Sequence, residues 1–310
     1  MLDDAVENDD EEMIDVAKLS RDLKQAARLL SRAEARFFVA AYYKMQKDRI
    51  RAEQQASELE KQGLPGQLMT WLSGQRLVLE KNVAGALDNY SSSQPVGAWA
   101  RSLKGVGPII SAGMLAHIDI EKCPTVGHLW RFAGLDPTTR KQSGQKQPWN
   151  SKLKRLMFLL GECFVKVSNY DDDVYGKVYR ARKLYETQKN SAGDYAALAA
   201  ASLAEKKYGE DTQAKQWYDK GMLPPARIHL RSARYAVKMF LSHYHEVEYF
   251  LKYGTVAPLP YAISHLGHAH YMPVPHWEMI PGLEVARRNT IPVSVKYGVP
   301  SGANFGVVDG

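Results

Sequence analysis

The sequence predicts a mainly α-helical protein. It reads as an N-terminal helical hairpin or coiled coil, an α-helical domain containing a helix-hairpin-helix, and an irregular tail rich in proline, glycine and histidine. Three observations predict it. Residues 16–62 contain neither glycine nor proline, which suits one long helix. Apolar residues recur at spacings of three and four. Helix breakers gather at a few points: Gly63-Leu64-Pro65-Gly66, Gly105-Val106-Gly107-Pro108 and the chain beyond residue 254.

In the first helix Leu19, Leu23, Ala26, Leu30, Ala33, Phe37 and Ala40 make a heptad seam over three repeats, which turns polar at Lys44 and Lys47. A second helical run over 67–90 folds back after the Gly-Leu-Pro-Gly break and ends at Ser91-Ser92-Ser93-Gln94-Pro95. The seam fits packing within one chain and pairing between chains equally well, so a homodimer or larger assembly through the coiled coil is expected. This gives boundaries of 1–15 for an acidic tail, 16–93 for the hairpin, 94–252 for the helical domain and 253–310 for an irregular wrap.

The acidic tail matters for charge. Eight of the 34 acidic residues lie in the first 15 positions with no base among them, so the net charge of +7 becomes about +15 for the remainder. A basic body implies a polyanionic partner. The tail reads as a solubilising leader or as an autoinhibitory mimic of nucleic acid. It is the opposite of a secretory leader, no run of 18 apolar residues occurs, and Cys123 and Cys163 are too few for a disulfide framework. A cytoplasmic, nucleoid-associated location is expected, with no membrane partner.

The stretch "SLKGVGPIISAGMLAHIDI", residues 102–120, places two glycines and a proline between two short apolar helical runs. Glycines allow a tight reversal and close backbone approach, and proline suits the first turn of the next helix. A plain αα-hairpin explains this. So does a helix-hairpin-helix, in which Lys104 and the amides of Gly105, Val106 and Gly107 hold a nucleic-acid phosphate at a helix N-terminus.

Downstream, "PPARIHLRSARYAVKMFLSHYHEVEYFL" predicts a helix over 224–252. Arg227, Arg231, Arg234 and Lys238 fall at i, i+4, i+7 and i+11, one continuous stripe with no matching acids. Ile228, Ala233, Val237, Phe240 and Leu241 occupy other azimuths and face the core. The stripe is a solvated face or a row of phosphate contacts. "HYH" and "HLGHAH" offer imidazoles to a metal, but no carboxylate stands at a recognised ligand spacing. Packing and hydrogen bonding are the expectation for these histidines, and no metal site is assigned. Trp99 and Trp130 are expected in the core, and Trp149 in "KQPWNSK" to be available for stacking on a base.

The order "LKGVGPIISAGMLAHIDI", "GHLWRFAGLDP", "KQSGQ", "NSKLKRLMFLLGECF" resembles the C-terminal transposase domain of the IS110 insertion-sequence family, the DEDD-type recombinases guided by a bridge RNA. The resemblance covers about residues 96–250. It implies DNA binding through the glycine hairpin, a guide RNA as a further partner, and a nucleophilic serine at the "QSG" position, here Ser143. Arg140, Lys141, Lys146, Lys152 and Arg155 stand close to it in sequence, as attack on a phosphodiester requires. Without the resemblance Ser143 is a plain turn serine. The pattern departs at Ser151-Lys152-Leu153-Lys154. Family members also carry an RNase H-like domain whose carboxylates bind metal ions, and the first 95 residues show no alternating strands ending in such an Asp. No cofactor is expected in this chain, and Mg²⁺ only with a partner domain. The function expected is a DNA-binding protein of transposase origin. The alternatives are a serine recombinase completed in trans by an RNase H-like partner, and an RNA-binding or structural adaptor using the coiled coil.

Overall fold

A computed structural model describes residues 18–259, 270–291 and 296–297. The acidic segment 1–15, His265 and His268 lie outside the described residues. The described chain is mainly helical and divides into two compact units, Met1–Tyr90 and Ser91–Gly310.

In the first unit, helix α1 (Arg21–Ala27) stops after two turns, and α2 (Arg32–Lys61) starts afresh at Ser31. The expected single helix over 16–62 is therefore two. The cause is local. The Ser31 hydroxyl accepts from the Glu34 amide at 3.2 Å, and the Glu34 carboxylate accepts from the Ser31 amide at 2.8 Å. This capping box satisfies two amides that a continuous helix would have used internally. At its other end α2 closes with Leu64 N–H on Leu59 O at 2.9 Å and Gly63 N–H on Glu60 O at 3.0 Å, with Gly63 at φ 70°. That is the Schellman pairing, and it needs the left-handed glycine.

Helix α3 (Gln67–Ser93) runs back along α2. The contact is made of small side chains and polar ties. Ala35, Val39, Ala52, Ala56, Ala86 and Leu87 are buried. Arg49 pairs with Glu80 at 2.7 Å, Arg76 donates to Asp48 O at 2.7 Å, and Ser73 donates to Glu53 at 3.2 Å. The expected seam is not this contact. Leu23 is 57% and Phe37 75% exposed, and Ala26, Ala33 and Ala40 are exposed as well. Alanines at 35, 52 and 56 supply most of the buried face of α2, a face that apolar bulk alone does not reveal.

The second unit is built around one long helix, α11 (Pro225–Tyr253). Around it stand α4 (Pro95–Arg101), α6 (Val126–Phe132), α7 (Ser151–Lys166) and α8 (Tyr175–Ser191), while α5 (Pro108–His117) packs on α4 and α7. Helices α9 (Ala196–Glu205) and α10 (Gln213–Asp219) pair with each other, and α12 (Leu283–Arg288) precedes a short strand, Lys296–Tyr297, that pairs in parallel with His270–Tyr271. Ile228, Ala233, Val237, Phe240 and Leu241 are all buried, the face the helical spacing predicts. Aromatic rings fill the centre: Trp99 stacks on Phe240 at 6.0 Å, and Tyr175 meets Phe164 at 4.9 Å and Phe240 at 5.3 Å.

The histidines of "HYH" belong to this core. His243 is pushed down to about 4 by burial, so it is neutral. Its Nε2–H donates to Met272 O at 3.0 Å, while Nδ1 accepts from the Tyr175 hydroxyl at 2.8 Å. His245 donates to Cys123 O at 2.7 Å. Residues 271–291 lie over α4 and α11. The Trp99 indole donates to Pro275 O at 2.7 Å. The buried Arg287 guanidinium reaches Glu246 at 2.7 Å and Ala257 O at 2.7 Å.

Candidate nucleic-acid interface

Helices α4 and α5 are joined by the turn 102–107. Gly105 stands at φ 90°, where an L side chain is strained. A Cβ there would also press on Phe164 and Val167 at 3.2 Å. Gly107 differs. Its φ is −83°, and a Cβ would meet nothing within 4 Å, so the turn does not require a glycine there. Val106 is buried and its amide donates to Leu103 O at 3.1 Å. That amide is spent within the turn and is not available to a phosphate, a second correction. Pro108 opens α5, and the first α5 amide bonded back is Ser111 on Gly107 O at 3.0 Å. The amides of Ile109 and Ile110 therefore point out of the helix start. Lys104 pairs with Asp172 at 3.0 Å and lies 4.6 Å from the Tyr170 ring centroid. The Lys104 hydrogen bond and charge hold the Asp172 carboxyl below its usual range.

A polar loop over 136–150 separates α6 from α7. Asp136 knots its start. It accepts from the Thr138 amide at 2.9 Å and hydroxyl at 2.7 Å, the Thr139 hydroxyl at 3.0 Å and Arg131 at 3.4 Å. Burial opposes the Asp136 charge, but the Thr138 bonds outweigh it and keep the carboxyl low. Asn150 ties the loop's end. Its amide donates to Phe132 O at 2.9 Å, and its side chain caps α7 by accepting from Lys152 and Leu153 amides at 3.0 Å.

Ser143 sits between these knots, exposed, in a turn closed by Gln145 N–H on Gln142 O at 3.3 Å. Its hydroxyl makes no hydrogen bond to a described residue. Arg140 pairs with Glu205 at 3.4 Å. Lys141, Lys146, Lys152 and Arg155 are exposed. Among the described residues no acid lies within ion-pair distance of Lys141, Lys146 or Lys152. No histidine or carboxylate among the described residues is hydrogen-bonded to Ser143 as a base.

The stripe on α11 is not uniform, and the expectation of cations without matching acids is corrected at Arg231. Arg231 meets Glu186 of α8 at 2.9 Å and covers the Tyr195 ring at 4.9 Å. Glu186, 1% exposed, also takes Arg182 at 2.6 Å and the Tyr195 hydroxyl at 2.5 Å. Burial would raise the Glu186 carboxyl, but the Tyr195 bond and the charges of Arg182 and Arg231 bring it below its usual value. Arg227 donates to Ser202 at 2.5 Å and Tyr218 at 3.2 Å. These two cations are built into the unit.

Arg234 and Lys238 are different. Arg234 is exposed, and among the described residues no acid pairs with either cation. Lys238 lies 4.1 Å from the Trp130 ring centroid, whose indole donates to Lys238 O at 3.2 Å. Trp130, expected in the core, is half-buried and carries this ammonium. A residue the sequence reading missed joins them. Lys154 of α7 sits 3.9 Å over the half-buried Trp149. Gly134, at φ 68°, leaves room for both, since a Cβ there would lie 2.7 Å from the Lys154 stem and 3.0 Å from Trp149. Burial and then the Arg234 charge lower the Lys154 ammonium. Lys238 is lowered by burial and by Arg234 and Arg182, against Asp136. Desolvation, then Arg231 and Arg227, lower Arg234. The only sequence signal for Lys154 was its place in a cation-rich helix start, "NSKLKR".

Residues 97–170 match the Transposase IS116/IS110/IS902 family. This segment is a C-terminal-type transposase domain of that family. The match spans α4 to α7, and so contains the glycine turn, the Ser143 loop and Lys154, while α8 to α12 lie beyond it. It covers about a quarter of the chain and links the protein to transposition. Neither a curated protein nor a solved structure matches the chain. Among the described residues no helix is long and apolar enough to cross a membrane.

Proposed function

We propose that the protein binds DNA and acts in the recombination of a mobile element. What carries this reading is the coincidence of the transposase match with the segment that holds the glycine turn and the exposed lysines around Ser143, which no acid among the described residues pairs. Such a surface favours a polyanion irrespective of sequence, because each phosphate neutralised releases counterions. The test is an electrophoretic mobility shift with duplex DNA over a salt series. The wild type should bind with log affinity falling linearly with log salt. A Lys141→Gln, Lys146→Gln, Lys152→Gln variant should bind every sequence more weakly and with a flatter slope. No retention of DNA by the folded wild type, or retention insensitive to salt, contradicts the reading.

A second reading makes Ser143 a nucleophile, favoured by its exposure on a turn within a transposase domain. The Ser143 oxygen would join a DNA phosphorus as the P–O bond to the displaced strand breaks, and a partner's base would take the serine proton and deliver it to the leaving oxygen, so the strand leaves as an alcohol. A serine hydroxyl is a weak nucleophile without such a base. No cluster of three His, Cys, Asp or Glu among the described residues could hold a metal ion. These residues do not fit Mg²⁺, and carboxylates for it would come from a partner. The purified chain alone should give no covalent DNA adduct on denaturing electrophoresis. A band that Ser143→Ala abolishes would make the chain a recombinase by itself.

A further inference from the structure

We propose that His276 is a positioning residue for DNA binding: from the C-terminal segment it fixes Ser102, so that the glycine turn meets DNA already ordered. The proposal rests on the DNA-binding reading and extends the interface to a residue about a hundred positions beyond the transposase match.

The hydrogen bonds at the turn close into one ring. The Ser102 hydroxyl oxygen lies 2.7 Å from Trp99 O and 2.6 Å from His276 Nδ1. A carbonyl only accepts, and a hydroxyl has a single proton to give. Ser102 therefore donates to Trp99 O, and His276 donates to Ser102 through Nδ1–H. One residue back, Pro275 O accepts from the Trp99 indole at 2.7 Å, and Trp99 is fully buried. The last turn of α4 and residues 275–276 are thus tied in both directions, at the point where the chain enters the glycine turn.

His276 is held there against its backbone preference. It stands at φ 56° and ψ 41°, and among the described residues it is the one non-glycine residue with positive φ. A glycine would take that conformation freely, whereas a histidine carries strain that only its surroundings can sustain. What the position gains from the imidazole is the bond to Ser102. Its base is firm. Met272 O accepts from the buried His243, while Tyr271 and Arg287 both donate to the buried Glu246 of α11. Elsewhere the turn rests on Phe164 and Val167 at Gly105 and is tied through Lys104 to Asp172. His276 supplies a third support, at Ser102. A turn ordered beforehand spares DNA the cost of ordering it. Where the competent fraction falls, the apparent affinity falls with it.

The experiment measures duplex DNA affinity by fluorescence anisotropy over a salt series, at about pH 8, with thermal unfolding of each protein. The proteins are wild type, His276→Ala, His276→Gly, His276→Asn, Ser102→Ala, the Ser102→Ala, His276→Ala double variant, and Met279→Ala as an exposed control in the same segment. His276→Ala and His276→Gly should both bind about three- to tenfold more weakly, the worth of one hydrogen bond. The glycine variant should nevertheless melt higher than the alanine variant, because the strain is gone. His276→Asn tolerates a left-handed backbone and has an N–H for Ser102, so it should recover affinity to within about twofold of wild type. The double variant should lose little more than Ser102→Ala alone. The salt slope should stay at the wild-type value throughout, since no phosphate contact is given up. Without DNA, ¹⁵N NMR of histidine-labelled protein should find the His276 proton on Nδ1. Full affinity in His276→Gly, affinity that follows melting temperature from variant to variant, a flatter slope, or a proton on Nε2 would each overturn the positioning role. Wild-type binding then still stands, and the DNA-binding reading survives. If the folded wild type binds no DNA, both fail.

Discussion

The two ends of the cation stripe on α11 look alike in sequence and are opposite in structure. Arg227 and Arg231 turn to Ser202, Tyr218 and a buried Glu186. Arg234 and Lys238, one turn further along, pair with no acid among the described residues, and Lys238 lies over an indole face. What separates them is an acid on α8, some 45 residues upstream of Arg231. A stripe of like charge is thus part scaffold and part surface. Charge that the fold has already compensated is poor material for holding an external anion.

The largest effect should come from removing the compensating acid. Glu186→Gln removes the carboxylate that Arg182 and Arg231 share. Breaking a buried pair from one side costs about 3–5 kcal/mol, so thermal or urea unfolding should show a loss of that size. A loss below about 1 kcal/mol, the range of exposed pairs, would erase the distinction between the two ends.

Acid should act on the compensated side alone. Glu186 has a lowered carboxyl pKa in the fold. Its contribution is present above the unfolded value of about 4.3 and is lost as pH falls through the folded value. His243, in the core on α11, is held near 4 against about 6.5 when unfolded. The unfolded chain binds its proton first, so stability should fall between about pH 6.5 and pH 4, by roughly 3 kcal/mol. The lysines and Arg234 keep their charge throughout this window. Arg234→Gln should therefore leave the shape of the stability–pH curve unchanged, and a changed shape would show Arg234 coupled to an acid.

The glycine turn contains a similar contrast at smaller scale. Gly105→Ala forces a left-handed conformation and a tight contact with Phe164 and Val167, at a cost of about 1–3 kcal/mol. Gly107→Ala enters open space at ordinary φ and should change stability by less than about 0.5 kcal/mol. Equal costs in denaturant melts would mean that the turn is not held as described.

How much of this was legible in the sequence depends on the range of the interaction. The start of α11 at Pro224 and Pro225 and its buried face follow from local chemistry and a 3.6-residue period, and both are found. The Ser31–Glu34 capping box was equally local and was overlooked, because leucines on both sides suggested one continuous helix. The seam through Leu23 and Phe37 was misplaced because the buried face of α2 is mostly alanine, which carries little hydrophobic signal. Glu186 could not be matched to Arg231, since only the tertiary fold brings α8 against α11.

The most direct measurement compares Arg231→Gln with Arg234→Gln in one salt series on duplex DNA, with thermal unfolding of both. If the stripe divides as the structure divides it, Arg231→Gln loses about 1.5–3 kcal/mol of stability, as for a hydrogen bond to a charged group, and keeps the wild-type salt slope. Arg234→Gln keeps its stability and loses up to about 0.9 of a slope unit. The opposite pattern, or the same slope loss in both proteins with stability intact, would contradict the division of the stripe into scaffold and DNA contact.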